Sequence, residues 1–476
     1  MPFRVRDVDP TGKFLPQLRL DVLAQVYPRE AVATVLAECG ARTLRQRKLN
    51  LELALFLVIG MSLFASVPLE AVFDRLAHSL RLLWPPEANR RALLPGKSAL
   101  CYRRYQLGVR PVRALFRRFC QPMATLQTRG AFLGGLRLMA IDGHTEDLPD
   151  TKENEAVFGR PTARRGTSAY PQLLGVYLSE CGTHAIVDAC FFPCETAEDH
   201  GALRLLRSIG AGMLVLTDRG LYSYRLLAAI LERGAQVLAR LPTCVKPQRV
   251  RQLADGSSLV YLIPRDWHLM RAGEFLAVRL IEYTLTDPHL PGYGERYRLV
   301  TTLLDEVAFP AHTLACTYHE RWEIELVFDE QDTHQLGQRQ PAAPLRSRKP
   351  RGVIQELYGL LLAHYAIRFL MHEAARAVDE DPDRLSFTHA LRLIQESVAD
   401  FELAASELVP QLCQRLLRDL AEPLLPERIP RVEPRVVKCK VIKWPLKRPH
   451  HRHWPQPTRP YCQAVSLLNW NGAGAI

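Results

Sequence analysis

Two apolar runs, LRLMAID from Leu136 to Asp142 and MLVLTD from Met213 to Asp218, each end in an aspartate that precedes glycine or Arg-Gly. Short apolar runs closed by such turn formers read as buried strands. Their acids then stand at the carboxyl ends of the strands, where open α/β sheets build their sites. QLLGVYLSE, AIVDACFF and AQVLARL read as further strands, and AEDHGALRLLRSIG and the stretch from Tyr222 to Glu232 as helices. Antiparallel strands followed by strand-helix alternation require a mixed sheet with helices on its faces. Taken singly, each aspartate also reads as a turn or helix-capping residue. As a pair on one sheet edge they repel each other, and a divalent cation would relieve the repulsion.

The rest of the 476-residue chain divides by texture. Residues 1–130 read as an all-helical N-terminal domain with basic clusters: Arg42, Arg45, Arg47 and Lys48; Arg90, Arg91 and Lys97; and Arg103, Arg104, Arg110, Arg113, Arg117 and Arg118. Such clusters either serve a DNA-binding surface or cover a helical core with a solvated face. Residues 131–241 and 305–376 form the expected mixed-sheet core, interrupted by a strand-rich insertion over 242–304 in which no helix is expected. A helical C-terminal region follows over 377–422. The tail, 423–476, is proline-rich and basic. From Ala421 to Pro460 it has nine prolines and ten Lys and Arg against three acids, which suits lying along a phosphate backbone or remaining a solubilising tail.

Net charge narrows the partner. At +12 with a pI near 9.3, the chain suits a polyanion such as nucleic acid, although an acidic membrane surface meets the same arithmetic. A membrane span is not expected. The run from Leu53 to Val67 is shorter than the roughly 20 residues required, and the run from Val353 to Met371 carries Glu356, His364 and Arg368. No secretory signature opens the sequence, and the eleven cysteines contain no Cys-x-x-Cys pair, so a cytoplasmic, reducing home is expected. Cys181, His184, Cys190, Cys194 and His200 fit no common zinc spacing.

The densest chemistry lies in YHERWEIELVFDEQDTHQ, Tyr318 to Gln335, which reads as one helix. At about 100° per residue, Tyr318, Arg321, Trp322, Glu325, Phe328 and Asp332 share one face, while Glu323 and Glu330 point away. Burying that face without partners would be costly, so it is expected to line a polar cleft. Glu325 would be the third carboxylate of a metal site. Arg321 reads either as a bidentate phosphate grip or as an i,i+4 ion pair with Glu325.

Asp142 in AIDGHTEDLPDT, Asp218 in LVLTDRGLYS and the Tyr318-x2-Arg321-x3-Glu325 frame together resemble the DDE transposases of bacterial insertion sequences. The branch is that of insertion sequence four, marked by a Tyr-x2-Arg-x3-Glu-x6-Lys signature. The resemblance covers most of the chain. It implies an RNase H-like core with a β-rich insertion between the second Asp and the Glu. It also implies catalytic and metal-binding roles for Asp142, Asp218 and Glu325. These would hold two Mg²⁺ ions, with Mn²⁺ as a substitute, one activating water or a 3′-hydroxyl and the other stabilising the leaving oxygen. The expected partner is double-stranded DNA, both transposon ends and target, bound by a homodimer in the nucleoid of a bacterial cytoplasm. Tyr318, Arg321, Trp322, Arg103, Arg104, Arg348 and Lys349 would contact that DNA.

One position departs from the signature. Asp332 stands where the family has lysine. Either the chain is a weakened or inactive DNA-binding derivative, or another cation such as Arg339 substitutes, or a metal or counter-ion shields Asp332. Asp332 lies about 10 Å along an ideal helix from Glu325, too far to join the same metal. His144 faces either the site or solvent, and Glu195 and Glu198 would be accessory acids if they project into the same cleft.

Overall fold

Asn50 starts the most apolar helix of the N-terminal region, its side chain accepting the Leu53 amide at 2.7 Å. The computed structural model describes residues 21–23, 26–41, 49–76, 95–163, 166–264, 266–290, 292–337, 345–426, 456–457 and 459–469. Among the described residues the leading α-helices are α1 (Arg29–Glu38), α2 (Leu51–Leu63), α3 (Leu69–Leu76), α4 (Lys97–Leu107) and α5 (Arg110–Phe119). Twelve of the thirteen residues of α2 are buried, so it is enclosed on all sides by other helices. Arg42, Arg45, Arg47, Lys48, Arg90, Arg91 and Arg339 lie outside the described residues.

The sheet begins with β1 (Leu136–Asp147), after a two-residue strand, Phe132–Leu133, that pairs with it. The chain continues through α6 (Lys152–Phe158), β2 (Gln172–Glu180), β3 (Ala185–Pro193), α7 (Glu198–Leu205), β4 (Met213–Thr217), α8 (Tyr224–Glu232) and β5 (Gln236–Arg240). In space the strands run β3-β2-β1-β4-β5, with β3-β2 and β2-β1 antiparallel and β1-β4 and β4-β5 parallel. This is the RNase H-like mixed core expected of a DDE domain, wound by helices between its parallel strands.

Residues 242–304 supply β6 (Gln248–Gln252), β7 (Ser258–Leu262), the short α9 (Trp267–Arg271), β8 (Leu276–Leu285) and β9 (Tyr297–Thr301). The helix departs from the all-strand expectation. These strands do not form a separate sheet: β9 pairs antiparallel with β5, and the order continues β9-β8-β7-β6. Arg279, 0% exposed, ties this extension to the loop that leaves β9. Its guanidinium donates to the carbonyls of Leu303, Asp305 and Phe309 and pairs with Asp255.

After α10 (Ala311–Thr317) the expected single helix is instead three in series. Tyr318–Trp322 is 3-10, α11 (Glu323–Asp329) is regular, and Glu330–Leu336 is π-helical. The hydrogen-bond ring widens along the stretch, yet two faces persist: Arg321, Phe328 and Asp332 meet Asp142 and His144 of β1, while Glu323 and Glu330 both meet His184. The chain then forms α12 (Pro350–Ala377), α13 (Phe387–Leu403) and α14 (Val409–Leu420). Gly359 of α12 lets α2 approach closely, since a Cβ there would stand 2.7 Å from the Val58 carbonyl oxygen. Among the described residues no helix is long and apolar enough to cross a membrane.

The tail is partly built in. β10 (Val465–Leu467) pairs with β8, and Tyr461 stacks on His319 with ring centroids 4.0 Å apart. KRPHHRHWP lies outside the described residues.

Candidate active site

The parallel pairing of β1 with β4 ends at Ile141 opposite Thr217, so Asp142 and Asp218 are the next residues on neighbouring strands. Asp218 does leave its strand there, and its Oδ1 accepts the Leu221 amide at 2.8 Å. Asp142 does not. β1 runs five residues further along β2, so Asp142-Gly143 is extended strand and the turn reading is corrected. Gly143 is there for space: a Cβ would lie 2.7 Å from the Glu198 carboxyl carbon. Glu198, at the start of α7, therefore leans over β1. Burial and then the Asp218 charge raise its pKa. Gly143→Ala is expected to push Glu198 aside and cut cleavage activity about tenfold or more, with the melting temperature near that of wild type. Wild-type cleavage by this variant would show that the close approach is not needed.

The helical stretch is pinned to the same edge. The Tyr318 hydroxyl donates to the Thr217 carbonyl at 3.1 Å, one residue before Asp218. Tyr318 is 5% exposed, so its phenol faces the sheet rather than solvent. One turn on, Arg321 donates to Asp142 Oδ2 at 3.2 Å and to Glu325 Oε1 at 3.3 Å. The i,i+4 ion pair is thus present and is half of a bridge between two of the three acids. Trp322 is partly exposed, with the Arg321 guanidinium 5.1 Å from its ring centroid.

Crowding has an electrostatic consequence. Burial, against the opposing Arg321, raises the Asp142 pKa to about 7, and the charges of Asp218 and Glu325 add to the rise. An aspartate whose proton affinity is raised by two neighbouring carboxylates, one of them tied to it through a guanidinium, belongs to a donor set suited to a hard divalent cation.

The other acids of the stretch point elsewhere. Glu323 accepts the Gly182 amide, and Glu330 is held by Arg368, His184 and His364. Asp332 Oδ2 lies 3.0 Å from His144 Nε2. Among the described residues, two groups have three ligand atoms within 4.8 Å of one another: His144, Glu146 and Asp332, and His184, Glu323 and Asp383. The catalytic candidates are not such a group, with Arg321 between two of them. No cysteine enters either group. Cys181 donates to the Glu320 carbonyl, and Cys190 accepts from Arg207.

The basic candidates from two distant segments meet. Arg104 of α4 donates to Ser347 and Gln355, each at 3.2 Å, which occupies its guanidinium internally. Arg103 bonds Gln106 on the same helix, and Arg348 and Lys349 are exposed just before α12. Tyr102 and Tyr105 are about 60% exposed, and Arg351 lies 5.7 Å from the Tyr105 ring centroid. Sequence reading missed these two tyrosines and Arg351.

Comparison with known proteins agrees with this geometry. Residues 17–117 match the family described as insertion element 4 transposase N-terminal, and residues 134–366 match the transposase DDE domain. The chain is 32% identical over 438 residues to the Escherichia coli (strain K12) transposase InsG for insertion sequence element IS4, covering 90% of this chain and 93% of that protein. The chain belongs to the insertion-element-4 family of DDE transposases. A second relative of this transposase, the putative transposase InsZ of the same organism, is 27% identical over 46% of the chain and 70% of its own length. The piggyBac transposase in its synaptic complex with hairpin DNA aligns over 86% of this chain and 85% of its own, with 13% identity and a TM-score of 0.43. A DDE domain implies use of a divalent metal ion. The carboxylate set around Asp142 fits that requirement.

Proposed function

We propose that this transposase binds the terminal inverted repeats of its own element as a homodimer and cuts and joins DNA strands with Mg²⁺, or Mn²⁺, held by Asp142, Asp218 and Glu325. The observation that carries this reading is the adjacency of Asp142 and Asp218 beyond the last Ile141–Thr217 pair, with Arg321 linking Asp142 to Glu325. When bound, divalent ions supply nucleophile activation and neutralise the leaving oxygen of an in-line attack on a phosphodiester. Tyr318 holds the end of β4 in place and so positions Asp218. Arg321 has two states open to it: with the acids short of positive charge it bridges them, and with their charge met by metal its planar fork is free to grip a phosphate. Trp322 offers a partly exposed ring beside that phosphate for stacking.

The DNA path would run from this cleft to the surface made by α4 and the start of α12. Arg103, Arg348, Lys349 and Arg351 would neutralise backbone phosphates there, and Tyr102 and Tyr105 would pack on the sugar-phosphate edge. Arg104 would act from beneath by joining α4 to Ser347. The enzyme would work in the bacterial cytoplasm at the nucleoid, where that DNA is.

The test is incubation of the full chain with a labelled end of its element and Mg²⁺. Wild type is expected to cut at the end, and Glu325→Gln is expected to cut on the order of a thousandfold more slowly while binding the end as tightly. Cutting by Glu325→Gln at the wild-type rate would remove Glu325 from the catalytic set. End binding by wild type with no metal-dependent cutting would favour the weakened derivative.

A further inference from the structure

We propose that His144, Glu146 and Asp332 form a second divalent cation site, distinct from the Asp142, Asp218 and Glu325 set and suited to an ion that accepts both nitrogen and oxygen ligands, such as Mn²⁺ or Zn²⁺. Side chains two apart on a strand share a face, so Asp142, His144 and Glu146 line one side of β1 at roughly 7 Å intervals. Asp332 reaches the same place from the π-helical turn after α11. The three ligand atoms lie within 4.8 Å of one another, with His144 Nε2 3.0 Å from Asp332 Oδ2 and 3.8 Å from Glu146 Oε1.

The two separations from His144 Nε2 suit a coordination sphere. Two ligands each about 2.1 Å from an ion stand roughly 3.0 Å apart at a right angle and up to about 4.2 Å apart when opposed. The imidazole is already aimed: its ring stacks on Phe328 at 4.7 Å with an 18° interplanar angle, which fixes where Nε2 points. Glu146 is 6% exposed, so its carboxylate meets Asp332 and His144 from the sheet side. One imidazole with two carboxylates selects Mn²⁺ or Zn²⁺ over Mg²⁺ and Ca²⁺, which favour all-oxygen surroundings. An ion there would also place positive charge at Asp332. The site stands on its own donor geometry, whether or not the neighbouring three acids carry cleavage.

The test uses Mn²⁺ as the probe on metal-stripped full-length protein. Electron spin echo envelope modulation is expected to show ¹⁴N coupling from a ligating imidazole. The coupling should vanish in His144→Gln and persist in Glu325→Gln, and Mn²⁺ affinity at this site should fall about tenfold or more in Asp332→Asn. Since His144 packs on Phe328, Asp332→Asn is the arm that changes only a part-exposed side chain, and its melting curve should match wild type. Nitrogen-free spectra from wild type, coupling that survives His144→Gln, or coupling lost in Glu325→Gln would each overturn the proposal. Unchanged Mn²⁺ affinity in Asp332→Asn would do the same and leave a salt bridge.

Discussion

Asp142→Asn is expected to lose strand cleavage by a thousandfold or more, on the order set by removing a metal carboxylate, and to make the metal-free protein more stable. The two effects have one cause. Asp142 lies in a buried setting beside Asp218 and Glu325, and burial with their charges raises its pKa to about 7 against the opposing Arg321. The unfolded value is near 3.9. A raised carboxylate pKa means that the folded protein holds the proton more tightly than the unfolded chain does. The ionised group therefore destabilises the fold fully above about pH 7, and the penalty fades as pH falls toward 4. Asparagine has no charge to bury. In EDTA the variant should gain of order 1–2 kcal/mol over wild type at pH 8, and the gain should disappear near pH 4. Denaturant unfolding at the two pH values measures it. A variant less stable than wild type at pH 8 would mean that Arg321 outweighs the repulsion. The site would then not be held in tension.

This tension explains what could be read from the chain and what could not. Asp142 and Asp218 are visible in sequence because each closes an apolar run, and the mixed core follows from the alternation around them. The continuation of β1 past Asp142 is hidden because Gly143 resembles a turn former. Its actual neighbour, Glu198, is a candidate accessory acid in sequence, but its contact with Gly143 comes from a helix 55 residues on and depends on tertiary packing. Arg321 is visible as half of a pair, since i,i+4 spacing advertises Glu325, whereas the bond to Asp142 depends on tertiary packing. The stretch from Tyr318 to Gln335 reads as one helix because local pattern does not separate 3-10, α and π turns. Either way Glu325 and Asp332 keep the face that periodicity assigns them, towards Arg321 and His144. The extension of the sheet and the return of the tail are likewise non-local, with β9 finding β5 and Tyr461 finding His319. Arg103 and Arg104 are legible as part of a basic cluster and Arg348 and Lys349 only through the family resemblance, and the contact of Arg104 with Ser347 and Gln355 brings the two segments together.

Behind the site, Arg368→Met is expected to destabilise the protein by about 3–5 kcal/mol, the cost of leaving a buried charge without its counter-ion. Glu330 is 5% exposed at the start of the π-helical turn. It accepts hydrogen bonds from Arg368, from His364 at 2.9 Å, and pairs with His184 at 3.0 Å. Burial alone would raise its pKa, but Arg368 and then His184 outweigh burial and hold it well below the usual carboxylate range. A depressed carboxylate pKa contributes stability that is complete above the unfolded value near 4.3 and is lost as pH falls below it. The gap between wild type and Arg368→Met should therefore be full at neutral pH and shrink on acidification below about pH 4. Pairing the change with Glu330→Gln removes the orphaned charge and should recover a large part of the loss, a coupling that a double-mutant cycle of thermal melts would report. Equal melting of Arg368→Met and wild type at neutral pH would show that Glu330 finds another cation. The same anchor bears on catalysis. It joins α12 to the turn at His184, a residue held at a φ of 58°, and to the end of the helix that carries Glu325. Loosening it should move Glu325 relative to the two aspartates, so Arg368→Met should also cut cleavage at temperatures where the fold persists.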